Sequence, residues 1–174
     1  MISPWSIPVR LPDVGKSTLE LTPEPDPATR ERIAEVVGVD ALNSLTVRAT
    51  LKSWLDGVEL SARFEAEVVQ TCGVTLDPFE TRLAAAFVVH ALPPGSPNAP
   101  EASAEAIIDP EADDPPEVLD GDTIDVGAYV LEYLALEVDP FPRKPGAVFE
   151  QPGGVEIISP FAGLAVLKDD DTTN

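Results

Sequence analysis

Apolar and polar residues alternate on both sides of Asp56-Gly57, and this period of two is the strongest constraint on what the chain can fold into. Leu45, Val47, Ala49, Leu51, Ser53 and Leu55 share one parity before it; Val58, Leu60, Ala62, Phe64, Ala66 and Val68 share one after it. Successive side chains of a strand point to opposite faces, so each run buries one face and wets the other. Asp-Gly favours a two-residue turn whose twist matches paired strands. Taking Asp56 and Gly57 as that turn sets Leu55 opposite Val58, and the same register puts Val47 opposite Ala66, Ala49 opposite Phe64 and Arg48 opposite Glu65. The expectation is one antiparallel hairpin of Leu45 to Leu55 with Val58 to Cys72, apolar pairs inside and a charge pair outside.

A third strand is expected from Glu80 to Leu92, entered through Asp77-Pro78, with Thr81, Leu83, Ala85, Phe87 and Val89 on one parity. Asp26-Pro27 offers an N-cap and a first-turn proline, Ile33, Val36 and Val37 an apolar face, and Gly38 a stop, so a helix is expected over residues 27 to 37. Val126, Val130, Leu134 and Val138 recur at helical spacing after the capping oxygens of Asp122, Thr123 and Asp125, giving a second over residues 124 to 138. Thr18 to Thr22 and Val155 to Ile158 read as short outer strands. The fold class is α+β: an antiparallel β-meander core with two to three helices and a long acidic, proline-rich loop. Residues 1–92 and 123–168 are expected to form one domain, interrupted by an acidic flexible loop at 93–122 and followed by a disordered tail at 169–174.

Charge narrows function. The chain holds 31 Asp plus Glu against 11 Lys plus Arg, a formal net charge of -20. Direct tight nucleic-acid binding is not expected, because holding phosphates takes a basic face. Residues 83 to 142 carry 13 acids and no base. Seven prolines between Leu92 and Asp122 leave that stretch few backbone donors and little to bury, so it should stay extended and mobile, either as a solvated, self-repelling linker or as an acidic arm that attracts a basic partner. No window approaches the roughly 18 consecutive apolar residues of a membrane span, and Met1 is followed by Ile2, Ser3, Pro4 and Trp5 rather than a basic region and an apolar run. A cytoplasmic, soluble protein is expected.

Catalytic and metal chemistry find little to work with. Gly15-Lys16-Ser17 ends like a phosphate-binding loop, but Arg10 stands where that loop needs a glycine. Cys72 and His90 are the only cysteine and histidine, too few for a zinc site of such ligands or for the common histidine-metal sites. His90 lies in an apolar run and is expected at a half-buried or rim position; a serine triad would have to recruit it. The acids from Glu111 to Asp125 lack the spacing of a calcium loop. Cys72 shares parity with Phe64, Ala66 and Val68, so burial as a small hydrophobe is expected. No catalytic residue, metal or cofactor is assigned.

Three segments stand in one order. The first is Val68-Val69-Gln70-Thr71-Cys72-Gly73-Val74-Thr75-Leu76-Asp77-Pro78-Phe79, the second Gly121-Asp122-Thr123-Ile124-Asp125-Val126-Gly127, the third Pro160-Phe161-Ala162-Gly163-Leu164-Ala165-Val166-Leu167-Lys168. Their order and spacing resemble the YceD family, the bacterial large ribosomal RNA subunit accumulation proteins. The run from Leu134 through Phe141-Pro142-Arg143-Lys144-Pro145 to Ala147 resembles the form found in alphaproteobacteria. The motif positions carried by the resemblance are Cys72, Leu76, Pro78, Phe79, Gly121, Ile124, Asp125, Pro160 and Phe161. Many relatives have a second cysteine three positions after the first; Thr75 stands there here, which removes the basis for a metal knuckle.

The resemblance implies a non-enzymatic accessory factor for large-subunit RNA accumulation and ribosome assembly, acting through protein contacts. Its partner would be a basic ribosomal protein or an assembly factor. One alternative is an acidic chaperone that shields a basic ribosomal protein; a hydrolytic enzyme is the remaining class. For the docking site, Phe141, Pro142, Arg143, Lys144 and Asp125 are the candidates. The only adjacent bases of the chain follow an aromatic there and sit between prolines, which leave little conformational freedom to lose on binding.

Overall fold

The alternating runs fold as three long strands, with the helices on one side of them. The computed structural model describes residues 3–15, 17–100 and 115–149. In chain order the elements are β1 (Pro8–Arg10), α1 (Leu11–Val14), β2 (Leu19–Leu21), α2 (Pro27–Val37), β3 (Ala41–Trp54), β4 (Gly57–Thr71), β5 (Pro78–Leu92), β6 (Glu117–Val118), β7 (Thr123–Asp125) and α3 (Val126–Glu137). Strands β3, β4 and β5 make the expected antiparallel meander inside a five-stranded sheet of order β2-β3-β4-β5-β6, whose last pair is parallel. β1 and β7 form a separate antiparallel pair. The class is α+β.

Leu45 to Leu51 and Val58 to Cys72 lie on the faces their parity predicts, whereas Ser53 is exposed and Leu55 falls in the loop, 60% exposed, and the expected register is off by two. Ala49 pairs with Ala62 rather than Phe64, Val47 with Phe64 rather than Ala66, and Trp54 with Gly57. The loop residues are Leu55 and Asp56, and Leu55 takes the left-handed φ of 52° that glycine was expected to supply. Gly57 is needed for another reason: a Cβ there would run into the Ala91 carbonyl of β5. A shift of two preserves faces while changing partners. The expected Arg48–Glu65 pair is therefore absent; Thr46 faces Glu65, and Arg48 faces Arg63.

The buried face holds Leu45, Val47, Leu51, Leu60, Phe64 and Val68 of the hairpin with Phe87 and Val89 of β5. It is covered by Ile33 of α2 and by Val130, Leu131 and Leu134 of α3, so residues before and after the acidic stretch share one core. Tyr133 of α3 stacks on Phe87 with ring centroids 3.9 Å apart. Phe64 is 2% exposed, and truncation to Ala should cost about 3–5 kcal/mol in lost transfer energy and residual cavity.

α2 occupies the expected residues. The Asp26 side chain accepts from Thr29 N–H at 2.8 Å, which holds its carboxyl below the usual range, and Gly38 closes the helix at φ 78°. α3 begins two residues later than expected because Thr123–Asp125 pairs with β1 instead. β1 and the short α1 were not expected; Pro4, Pro8 and Pro12 mask any periodicity there. The short strand expected at Thr18 to Thr22 is β2, paired to β3.

The ends of the proline-rich stretch are anchored. Ser96 and Asn98 side chains both donate to Asp56 at 2.9 Å, Val118 pairs with Leu92, and Tyr129 donates to Glu117 at 2.6 Å. The middle of that stretch lies outside the described residues, as do the strand expected at Val155 to Ile158 and the motif residues Pro160 and Phe161. No helix among the described residues is long and apolar enough to cross a membrane.

Candidate interaction surface

At one end of the molecule the β4–β5 connection is tied to the segment that follows α3. Cys72 ends the alternation of β4 and is fully buried, as its parity predicts. Its Sγ accepts N–H groups from Val74, Thr75 and Lys144, each at 3.4 Å. The Thr75 hydroxyl, then the N–H groups of Lys144 and Thr75, pull the thiol pKa down to about 6 against desolvation. Cys72 N–H donates to Asp77 O and Leu76 N–H to Cys72 O, both at 2.9 Å, closing the turn.

Three further bonds fasten the second segment. Gly73 N–H donates to Pro142 O at 2.9 Å, the buried Gln70 amide donates to Asp139 O at 3.0 Å, and Lys144 Nζ lies 3.5 Å from Asp77 Oδ2. Phe141 N–H donates to the Asp139 side chain at 2.8 Å. The backbone is thus fixed while large apolar side chains stay in water: Phe141 is 80% exposed, Leu76 76% and Leu136, on the last turn of α3, 74%. Leu76 holds a left-handed φ of 59°, a conformation that costs a non-glycine residue about 1 kcal/mol or more. Arg143 is exposed beside Phe141 and bonds to no described residue.

Phe141, Pro142, Arg143 and Lys144 therefore lie on a segment tied through Cys72, Gly73 and Asp77 to the turn that carries Leu76. Leu76 was legible only as a motif position; its exposure depends on the turn geometry. Pro78 and Phe79 open β5 beside this turn. Asp125 lies elsewhere, at the other end of α3, about 18 Å away along a helix of 12 residues at roughly 1.5 Å each. It caps α3 through Ala128 N–H at 3.2 Å and holds the N-terminal segment through Ser6 at 2.6 Å and Ile7 N–H at 2.7 Å. Asp122 and Ile124, which follow Gly121, support the same clasp: Ile124 is fully buried, and Asp122 meets Arg10 at 3.1 Å, a contact that lowers its pKa.

A second group of polar side chains gathers around Glu59. His90 is half-buried, stacked on Trp54 at 4.3 Å, with Nε2 3.4 Å from Glu59. Ser61 donates to the same Glu59 at 3.4 Å. Glu59 thus stands between hydroxyl and imidazole, whereas a serine nucleophile needs the imidazole against its own oxygen. No group of three His, Cys, Asp or Glu side chains among the described residues is placed to hold a metal.

Residues 60–168 match the family model described as large ribosomal RNA subunit accumulation protein YceD. No curated protein and no solved structure matches.

Proposed function

Because this chain belongs to the YceD family of large ribosomal RNA subunit accumulation proteins, we propose that it supports large-subunit RNA levels as a non-enzymatic accessory factor. On this reading it acts in the cytoplasm by binding a basic ribosomal protein or an assembly factor. The supporting observation is the rigid display of Phe141, 80% exposed, beside Leu76 and Arg143 on a backbone cross-tied through Cys72. Exposed aromatics on a fixed backbone lose little freedom on binding, which is what interface anchors require. Asp125 has a supporting part here, setting the position of α3 and hence of the segment that leaves it.

A second reading, shielding of a basic ribosomal protein until it reaches RNA, is favoured by the 13 acids and no base of residues 83 to 142. Both readings need a basic partner, whose capture weakens as salt shortens the reach of exposed charge to about 8 Å near physiological strength.

Deletion of the gene should lower the ratio of large- to small-subunit RNA; an unchanged ratio would sink the ribosomal reading. Complementation with a chain carrying Arg143→Glu, whose side chain bonds to no described residue, should restore less of the ratio and capture less partner in a crosslinking pull-down, at nearly unchanged melting temperature. Tight binding to naked ribosomal RNA at physiological salt would overturn the dependence on protein contacts.

A further inference from the structure

The sheet face turned away from the helices carries a pair of bases that the fold itself does not use. Arg48 and Arg63 are exposed, lie directly opposite in the β3–β4 register, and make no ion pair or hydrogen bond to another described residue. Like charges facing each other across a strand pair are destabilising. This happens in a chain with nearly three acids per base, where Arg10, Lys52, Arg82 and Lys144 each find a carboxylate. The next residue in the row is the small Ala86, and Arg48, Arg63 and Ala86 line one side of an open concavity of about 720 Å³ that Glu20, Thr50, Ser61 and Val88 also border.

Neighbouring rows define what fits. One row along the strands on one side lies Glu65, and one row on the other side lies Glu20, beside Thr50. Rows on one face repeat at about 6.8 Å, two residues of strand rise, the same repeat as alternate side chains of an extended peptide. The face therefore reads acid, paired base, acid along a diagonal from Glu65 of β4 to Glu20 of β2. A polyanion would gain the arginine pair but meet both acids and a net charge of -20. A basic segment gains on every count if one carboxylate interrupts its cations.

We propose that Arg48 and Arg63 are a binding site for a carboxylate carried on a basic partner polypeptide, an extended segment of the pattern Lys/Arg-x-Asp/Glu-x-Lys/Arg. The carboxylate accepts from both guanidinium groups, and the flanking cations meet Glu65 and Glu20. The inference rests on the basic-partner reading above and adds a second contact surface, on the sheet rather than at the end of α3.

The test uses the full chain and two short labelled peptides, Ser-Lys-Thr-Glu-Thr-Lys-Ser and the same peptide with Gln for Glu, read by fluorescence anisotropy at low salt. The Glu peptide should bind the wild type about tenfold more tightly, the ratio that roughly 1.4 kcal/mol gives. That preference should vanish in the Arg48→Gln/Arg63→Gln double variant, which should melt no lower than wild type because a repulsion has been removed. Equal binding of both peptides to wild type overturns the inference; if wild type still captures basic ribosomal proteins from cells, the proposed function survives that failure. A double variant that melts lower gives the pair a structural role instead and overturns it too. A short single-stranded RNA that outcompetes the Glu peptide in an arginine-dependent way reassigns the pair to phosphate and equally overturns it.

Discussion

Helix α3 is held differently at its two ends. At the start, Ile124 is fully buried and Asp125 accepts from Ser6, Ile7 and Ala128, so side chains are consumed by the fold. Beyond the other end, the chain is fastened mainly through backbone groups, Gly73 to Pro142 and Lys144 to Cys72 Sγ, which leaves Phe141, Arg143 and Leu76 free of internal duties. The contrast is between side chains that the fold consumes, those of Ile124 and Asp125, and side chains that it leaves in water, those of Phe141, Arg143 and Leu76. Substitutions at the two ends should therefore separate stability from binding.

The largest effect should come from Ile124→Ala. A fully buried isoleucine cut to Ala costs about 2–5 kcal/mol, visible as a large fall in the midpoint of urea unfolding. Asp125→Ala should follow at about 1–3 kcal/mol, since a cap is lost and three donors need new partners. If either variant unfolds at the wild-type midpoint, the clasp stores no stability and the comparison fails.

Cys72 supplies a pH-dependent test at the other end. Its thiol pKa is about 6 when folded against an ordinary 9.0. Between those values the unfolded chain holds a proton the folded one has released, so the thiolate's contribution is absent below pH 6, grows as pH rises and is complete above 9. The stability difference between wild type and Cys72→Ala should widen from pH 6 toward 9. A difference that stays flat would mean the N–H groups of Val74, Thr75 and Lys144 serve a neutral thiol.

How much of this was legible depended on how local its cause is. Strand faces follow from parity, and α2 from Asp26-Pro27 and Gly38, because cap and period are encoded within a few residues. The hairpin register was misread because Gly57 carries two demands that look alike in sequence, turn conformation and close approach; only the packing of Ala91 tells them apart. The candidate segment Phe141-Pro142-Arg143-Lys144 could be found from its flanking prolines and its isolated bases. The contributions of Leu76 and of the Arg48–Arg63 pair could not. Leu76 depends on a turn closed by backbone bonds between Cys72, Leu76 and Asp77 that no motif spells out, and the arginines on a register two residues from the expected one.

The smallest expected change is the most discriminating. Leu76 sits at a φ of 59° with its side chain 76% exposed, so nothing in the described fold compensates its conformation through burial. Glycine adopts that region without the steric penalty of about 1–2 kcal/mol but gives the unfolded chain more freedom, worth about 0.5–1 kcal/mol. Leu76→Gly should thus stabilise the protein by a few tenths to about 1 kcal/mol, measured by urea unfolding, and should weaken partner capture alongside Phe141→Ala, whose own stability should stay within about 0.5 kcal/mol of wild type. A leucine kept in a strained, wetted position makes physical sense if a partner covers it. If Leu76→Gly gains stability and captures partner as well as wild type does, the exposed side chain has no binding role, and the presented surface shrinks to Phe141 and its neighbouring bases.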